Sequence, residues 1–312
     1  MISYEFEPQN QNLSYFQAST FPQIAQVSKT HDEHNWFVPS HIHDDQVEIV
    51  YVEHGIAYYS VDTRPIEVLA GQILIIDPGT IISVTTKDTM PTTYWVLRAT
   101  NFQFPNTKPN GLLEQGQNYS LLEIETYIPF VVSMFQFFKN GYEHGITQSS
   151  DAYQYGLASL LTLLYEKQKQ KNTESTEKHP RPDPFLQNMI RYIDKHFASP
   201  ITLQSLADHF NASSSYISHL FSQVFGISPI NHVIDKRICN AKWMLISTLD
   251  SVEKIAENVG YNNTYYFQKL FAQRIGCSPA DYRKLYSENS FFHNYKTAKS
   301  SISSEKEEAL LE

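Results

Sequence analysis

The sequence predicts an α+β multidomain chain: a β-barrel with helices packed on it, then an all-α domain of two helix-turn-helix units. Three observations carry this. Short runs rich in Val, Ile, Thr and Tyr recur between about residues 19 and 104, separated by turn residues. A helical pattern in residues 203–229 returns in residues 252–279. Between the two regions lies a polar, proline-containing stretch that cannot bury a core. At 312 residues the chain is long enough for two domains.

The strand candidates are VEIVYV, IAYYSVD, GQILIID and TTYWVLRA, punctuated by His54-Gly55, Ala70-Gly71 and Pro78-Gly79. Such regular spacing of short strands predicts a barrel or jelly roll. From about residue 120 the period becomes helical, and SLLEIETYIPFVVSMFQFFKN and DAYQYGLASLLTLLYEKQ read as two helices on the barrel. Leu157, Leu160, Leu161 and Leu164 form an i, i+3, i+4, i+7 stripe, which predicts either core or a dimer seam. Residues 1–167 are thus expected to form one domain and QKQKNTESTEKHPRPD, residues 168–183, a linker. Residues 184–288 are the helical domain. The tail 289–312, with SSISSEKEE and no apolar periodicity, is expected to be disordered.

Within the helical domain, Leu203, Leu206, Ala207 and Phe210 match Val252, Ile255, Ala256 and Val259 at an offset of 49. Beyond the turn, Tyr216, Ile217, Leu220, Phe221, Gly226, Ser228 and Pro229 match Tyr266, Phe267, Leu270, Phe271, Gly276, Ser278 and Pro279 at an offset of 50. The second copy therefore has one extra turn residue. Each copy is a short apolar-periodic helix, a polar break and a second such helix. Gly-x-Ser-Pro follows each, supplying a C-cap glycine and a helix-starting proline.

The net charge of −9 is unevenly spread. Residues 1–167 carry 7 Lys/Arg against 18 Asp/Glu, whereas residues 184–286 carry 10 against 7. Basic charge is concentrated on the repeat, as a nucleic-acid reader requires, but the surplus is modest and predicts weak binding to random DNA. The two cysteines, Cys239 and Cys277, suggest neither a disulfide scaffold nor a zinc ribbon. No apolar stretch is long enough for a membrane span and the first residues lack a signal-peptide pattern, so a cytoplasmic protein is expected. No phosphate loop, GxSxG or Cys–base motif is present, and no enzyme activity is expected.

His41-Ile42-His43, four residues, Glu48, six residues and Gly55 make an HxH-x4-E-x6-G string. Strand alternation puts His41 and His43 on one face, with Glu48 within reach. The string is similar to the first motif of the cupin barrels. In metal-binding cupins a second motif near a Pro-Gly turn adds a histidine, but here GQILIIDPGTIIS places Ile82 there. The favoured reading is therefore a pocket for a small organic effector, with no metal or cofactor, lined by His41, His43, Glu48, Trp36, Tyr51 and Trp95, with Tyr58 as a further aromatic candidate.

Barrel, helices, linker and paired helix-turn-helix units together resemble the AraC/XylS-type transcription regulators. The likeness is specific over about Phe185–Tyr286, in MIRYIDKHF, ITLQSLADHF, YISHLFSQVFGISP, IDKRICNAKWML, IAENVGY, YYFQKLF and GCSPADYRKLY, and looser over residues 1–167. It implies that the second helix of each unit enters the major groove of double-stranded DNA, one turn apart. The reading positions it implies are Ser215, Ser218 and His219, then Thr264, Tyr265, Gln268 and Lys269. His219 and Ser222 depart from the family, where Arg and Lys are common. The implied partners are DNA, a small-molecule effector of sugar type, a second copy in a homodimer, and RNA polymerase if the protein activates. Two rivals remain open: a metal-dependent cupin enzyme fused to a DNA-binding module, and a constitutive DNA binder whose barrel only dimerises.

Overall fold

A computed structural model describes residues 21–33, 37–86, 91–144, 150–172 and 182–287. Nine strands come first: β1 (Gln23–Glu33), β2 (Phe37–Ile42), β3 (Val47–His54), β4 (Ile56–Val61), β5 (Arg64–Leu69), β6 (Gln72–Ile76), β7 (Ile81–Thr85), β8 (Thr92–Thr100) and β9 (Tyr119–Glu123). They make two antiparallel sheets, one ordered β1-β8-β3-β6-β9 and the other β2-β7-β4-β5. Helices α1 (Ile128–Glu143) and α2 (Asp151–Asn172) follow.

Alternation along the strands sorts side chains into two cores. Val50, Val52, Ala57, Tyr59, Val61, Leu74, Ile82, Val84 and Tyr94 pack between the sheets. Val47, Ile49, Tyr51, Trp95 and Leu97 point the other way, onto Val131, Phe135 and Phe138 of α1 and the leucines of α2. Leu157, Leu160, Leu161 and Leu164 are all at most 1% exposed, so the stripe is core and not a dimer seam.

Two expectations shift here. SLLE, read as the start of a helix, lies in edge strand β9 paired with β6, because Ser120 and Leu122 alternate inward. Helix α2 runs to Asn172, so it continues into the stretch read as linker; Gln168 is buried and bonds Gln117, and the Lys171 ammonium bonds the Leu121 carbonyl. The expected disordered tail lies outside the described residues.

Seven helices follow among the described residues: α3 (Pro184–His196), α4 (Leu203–His209), α5 (Ser214–Phe225), α6 (Pro229–Ser247), α7 (Val252–Asn258), α8 (Thr264–Ile275) and α9 (Pro279–Ser287). They share two separate cores. Leu186, Met189, Ile190, Ile193, Leu206, Ala207, Ile217, Phe221 and Val233 form the first, around α3, α4 and α5. Ile238, Ala241, Leu245, Ile255, Ala256, Val259, Phe267, Phe271 and Tyr282 form the second, around α6 to α9. The small Ala207 and Ala256 are buried where paired helices meet. Gly226 and Gly276 close α5 and α8 in the left-handed conformation, as expected for C-caps.

Candidate functional site

Each helix-turn-helix unit is set by the same local chemistry. The Ser213 hydroxyl accepts from Tyr216 N–H at 3.1 Å and starts α5, while Asn263 Oδ1 accepts from Tyr266 N–H at 2.9 Å and starts α8. Replacing Ser213 with alanine is expected to lower stability by about 1 kcal/mol, read by urea unfolding; an unchanged midpoint would show that the cap contributes nothing. The i, i+4 pairs Ile217/Phe221 and Phe267/Phe271 are fully buried, which turns the opposite faces outward. On those faces Ser215, His219, Tyr265, Gln268 and Lys269 are exposed, and Ser218 and Thr264 half-buried. Tyr265 stands 77% exposed, an aromatic ring with no packing role inside its own unit.

Helix α6, 19 residues and ~28 Å long, joins the units. Arg237 on it donates from Nε to the Phe197 carbonyl at 2.7 Å and from Nη2 to Ser199 at 2.8 Å, and lies over the Tyr261 ring. It is a structural tie between the units. Arg274 pairs with Asp235 at 3.0 Å and ties α8 to α6.

The second cluster lies on the inner face of the barrel. His41 and His43 meet edge to face, their ring centroids 4.9 Å apart. With Glu48 they form a group whose ligand atoms all lie within 4.8 Å of one another. Arg98, opposite Glu48 in the β3–β8 ladder, enters the same space. Its Nη1 donates to His43 Nε2 at 2.8 Å, while its Nε is 3.9 Å from Glu48 Oε2, too long for a hydrogen bond, and has no acceptor among the described residues. His41 Nδ1 donates to the Pro39 carbonyl at 2.9 Å, leaving Nε2 as an acceptor. Tyr59, buried on β4, faces the cluster.

Burial governs the charges. It pushes His41 down to about 3 and His43 to about 2, helped by Lys236 and Arg98 for the first and chiefly by Arg98 for the second. Both imidazoles are neutral at pH 7, so the 3.6 Å approach of His43 to Glu48 is a polar contact and not an ion pair. Burial likewise raises Glu48 to about 7, against the pull of Arg98. These residues do not suit a divalent metal: a guanidinium already lies against His43 and Glu48, and Ile82, paired with His41, fills the position of the missing histidine.

The aromatic expectations fare differently. Tyr51 and Trp95 face each other across β3 and β8, but on the helix side of the sheet, away from Glu48. They are core residues; Trp95 Nε1 donates to Glu53 at 3.1 Å and Lys29 lies over its ring. Tyr58 is on the other face of β4 from Tyr59, and Trp36 lies outside the described residues. Sequence reasoning missed Arg98 and Tyr59. The period of two counted from Tyr94 and Ala57 in TTYWVLRA and IAYYSVD would have placed them inside.

Comparison with known proteins bears on both sites. A model of the AraC-like ligand binding domain matches residues 24–123, and a helix-turn-helix domain model matches residues 206–285. An uncharacterized HTH-type transcriptional regulator of Escherichia coli K12, YdiP, is 30% identical over 283 residues, covering 88% of this chain and 90% of its own. This chain belongs to the AraC family of transcription regulators. The arabinose operon regulatory protein of the same organism is 36% identical over 106 residues, 34% of this chain and 36% of its own. An apo ToxT variant from Vibrio cholerae shares the fold at a TM-score of 0.51 and 11% identity, covering 82% of this chain and 96% of its own. As an AraC-family protein, the chain is a DNA-binding transcription regulator with a ligand-binding domain, and the relatives that match most of its length are named transcriptional regulators. No described helix is long and apolar enough to cross a membrane.

Proposed function

We propose that this regulator is governed by a small polyhydroxylated effector, a sugar or sugar derivative, bound at His41, His43, Glu48 and Arg98, with Tyr59 as its aromatic wall. One observation carries the reading: the cluster pairs a free donor, Arg98 Nε, with a free acceptor, His41 Nε2, beside a carboxyl that titrates near neutrality. A hydroxyl both donates and accepts, so vicinal hydroxyls satisfy such a mixed set better than a group that does only one.

On the DNA side, Ser215, Ser218 and His219 read one box, and Thr264, Tyr265, Gln268 and Lys269 the other. Gln268 suits adenine and Lys269 guanine. Replacing Lys269 with alanine is expected to cost about 1–3 kcal/mol on the preferred duplex and to relax base preference at one position. Equal loss on all duplexes would make Lys269 a phosphate contact. The working protein is a cytoplasmic homodimer that meets RNA polymerase if it activates, with residues 1–167 as effector domain and 184–288 as reader.

Selection of duplexes from a randomised pool by the full chain, at two salt concentrations, tests the DNA reading. Two boxes about one helical turn apart should emerge; unenriched DNA released by salt would overturn it. Calorimetric titration with a sugar panel tests the effector reading, and the His41→Ala/His43→Ala variant should lose any response. Silence across the panel in the wild type would favour a barrel used only for dimerisation.

A further inference from the structure

Strand β2 touches both halves of the reading domain, and does so with the face turned away from the histidines. Among the described residues it is an edge strand, paired only with β7, and its register slips by one residue between Val38 and His41. Such a bulge reverses the alternation of side chains. Val38 and the two histidines therefore share the inner face, while Phe37, Ser40, Ile42 and Asp44 all turn toward the helices.

The outward contacts divide between the two cores. Phe37 packs on the second core, its ring 5.3 Å from Lys242 Nζ. Ile42 packs on the first core, and its N–H donates to Asp194 of α3 at 3.2 Å. Asp194 is in turn ion-paired with Lys236 of α6. The Ser40 backbone lies against the buried His232 ring of α6 and favours its protonated form. Past the strand end, Asp44 receives Arg191 Nε of α3 at 2.7 and 2.9 Å. One strand, ~20 Å long, thus spans two helix-turn-helix cores. The residues proposed to read bases on α5 and α8 are not among its contacts and are exposed or half-exposed.

We propose that β2 is a splint: its outer face holds the two reading units at one fixed angle, and its inner face places that angle under the control of whatever occupies the His41–His43–Glu48 site. The second half rests on the effector reading; the first does not. Helix α6 sets the distance between the readers, while β2 restrains the rotation that a helix joined to two separate cores leaves free. An occupant that shifts β2 by a fraction of an ångström would then change how well one chain fits two successive major grooves, with no partner chain needed. A splint of this kind raises affinity by preorganisation.

The test uses the full chain carrying Phe37→Ala and Arg191→Ala, which remove both ends of the splint and leave the buried Asp194–Lys236 pair intact. Affinity is measured on the selected duplex and on versions whose two boxes are moved one base pair closer or farther. The wild type should lose about tenfold for either shift and the variant less than about threefold, because freed units can rotate to follow the boxes. A folded variant that keeps wild-type discrimination would overturn the splint and leave α6 as the only ruler. Amide exchange of the wild type guards against a variant that fails to fold. DNA should slow exchange in residues 37–44 at least about fivefold, as linkage requires, and unchanged exchange would overturn the proposal. Neither readout uses an effector. If no sugar binds, the effector reading falls and takes the inner-face half with it, while lost spacing discrimination still supports the outer-face half.

Discussion

Replacing Arg98 with alanine is expected to turn the His41–His43–Glu48 cluster into a divalent-metal site. In the native protein the guanidinium donates to His43 Nε2 at 2.8 Å and sits beside Glu48. A dication would have to displace or approach a fixed positive charge in a largely desolvated place, where repulsion is poorly screened. Without Arg98, two neutral imidazoles and a carboxyl remain, their ligand atoms within 4.8 Å. That is a donor set zinc accepts, with water completing the coordination. Competition against a chromophoric chelator should show zinc affinity rising at least about 100-fold, or about 2.7 kcal/mol, over the wild type. The Arg98→Ala/His43→Ala double variant should lose the gain. Equal affinity in wild type and Arg98→Ala would show that the arginine does not exclude the metal.

The second large effect is acid sensitivity. His41, His43 and His232 are pushed down to about 3, 2 and 3 by burial, so the folded chain refuses protons that the unfolded chain takes below its ordinary value of 6.5. Their stabilising contribution is complete above that value and is lost as the pH falls. Each contributes a loss of about 2 kcal/mol between pH 7 and pH 5. Glu48 works in the opposite sense: raised to about 7, it stabilises the fold when protonated and returns about 2 kcal/mol over the same window. Asp194 and Asp235, also raised by burial, reinforce Glu48 at lower pH. The histidines win by number, and urea unfolding should show a net loss of a few kcal/mol at pH 5 relative to pH 7. Replacing His41 and His43 with asparagine should flatten the profile. A wild-type profile already flat would mean that these rings are hydrated in solution.

What could be read from the chain and what could not divides along sequence distance. The helix-turn-helix units are local structures, each specified by caps, period and a closing glycine within some 27 residues, so their repetition was visible directly. His41, His43 and Glu48 lie within eight residues of one another, across the short turn from β2 to β3, and local spacing alone brings them together. Arg98 is 50 residues from Glu48 and meets it only through the β3–β8 register, which no local pattern reports. Trp95 and Tyr51 show the same limit from the other side. They pair across the very same ladder, but one position out of phase, and a shift of one turns a pocket residue into a core residue. The contact of β2 with α3 and α6 joins residues about 150 or more apart and left no trace in the sequence beyond the mixed polarity of FVPSHI.

Helices α5 and α8, proposed to read bases, have the same length and the same closing glycine but different dress: α5 offers serines and a histidine, α8 a lysine, a glutamine and a bare tyrosine ring. Unlike faces on a stiff bar make the bar directional. With both faces reading bases as proposed, a chain turned end for end on a duplex would present each face to the other's bases, so the site of one chain would have a left and a right, as an arrow does and a palindrome does not.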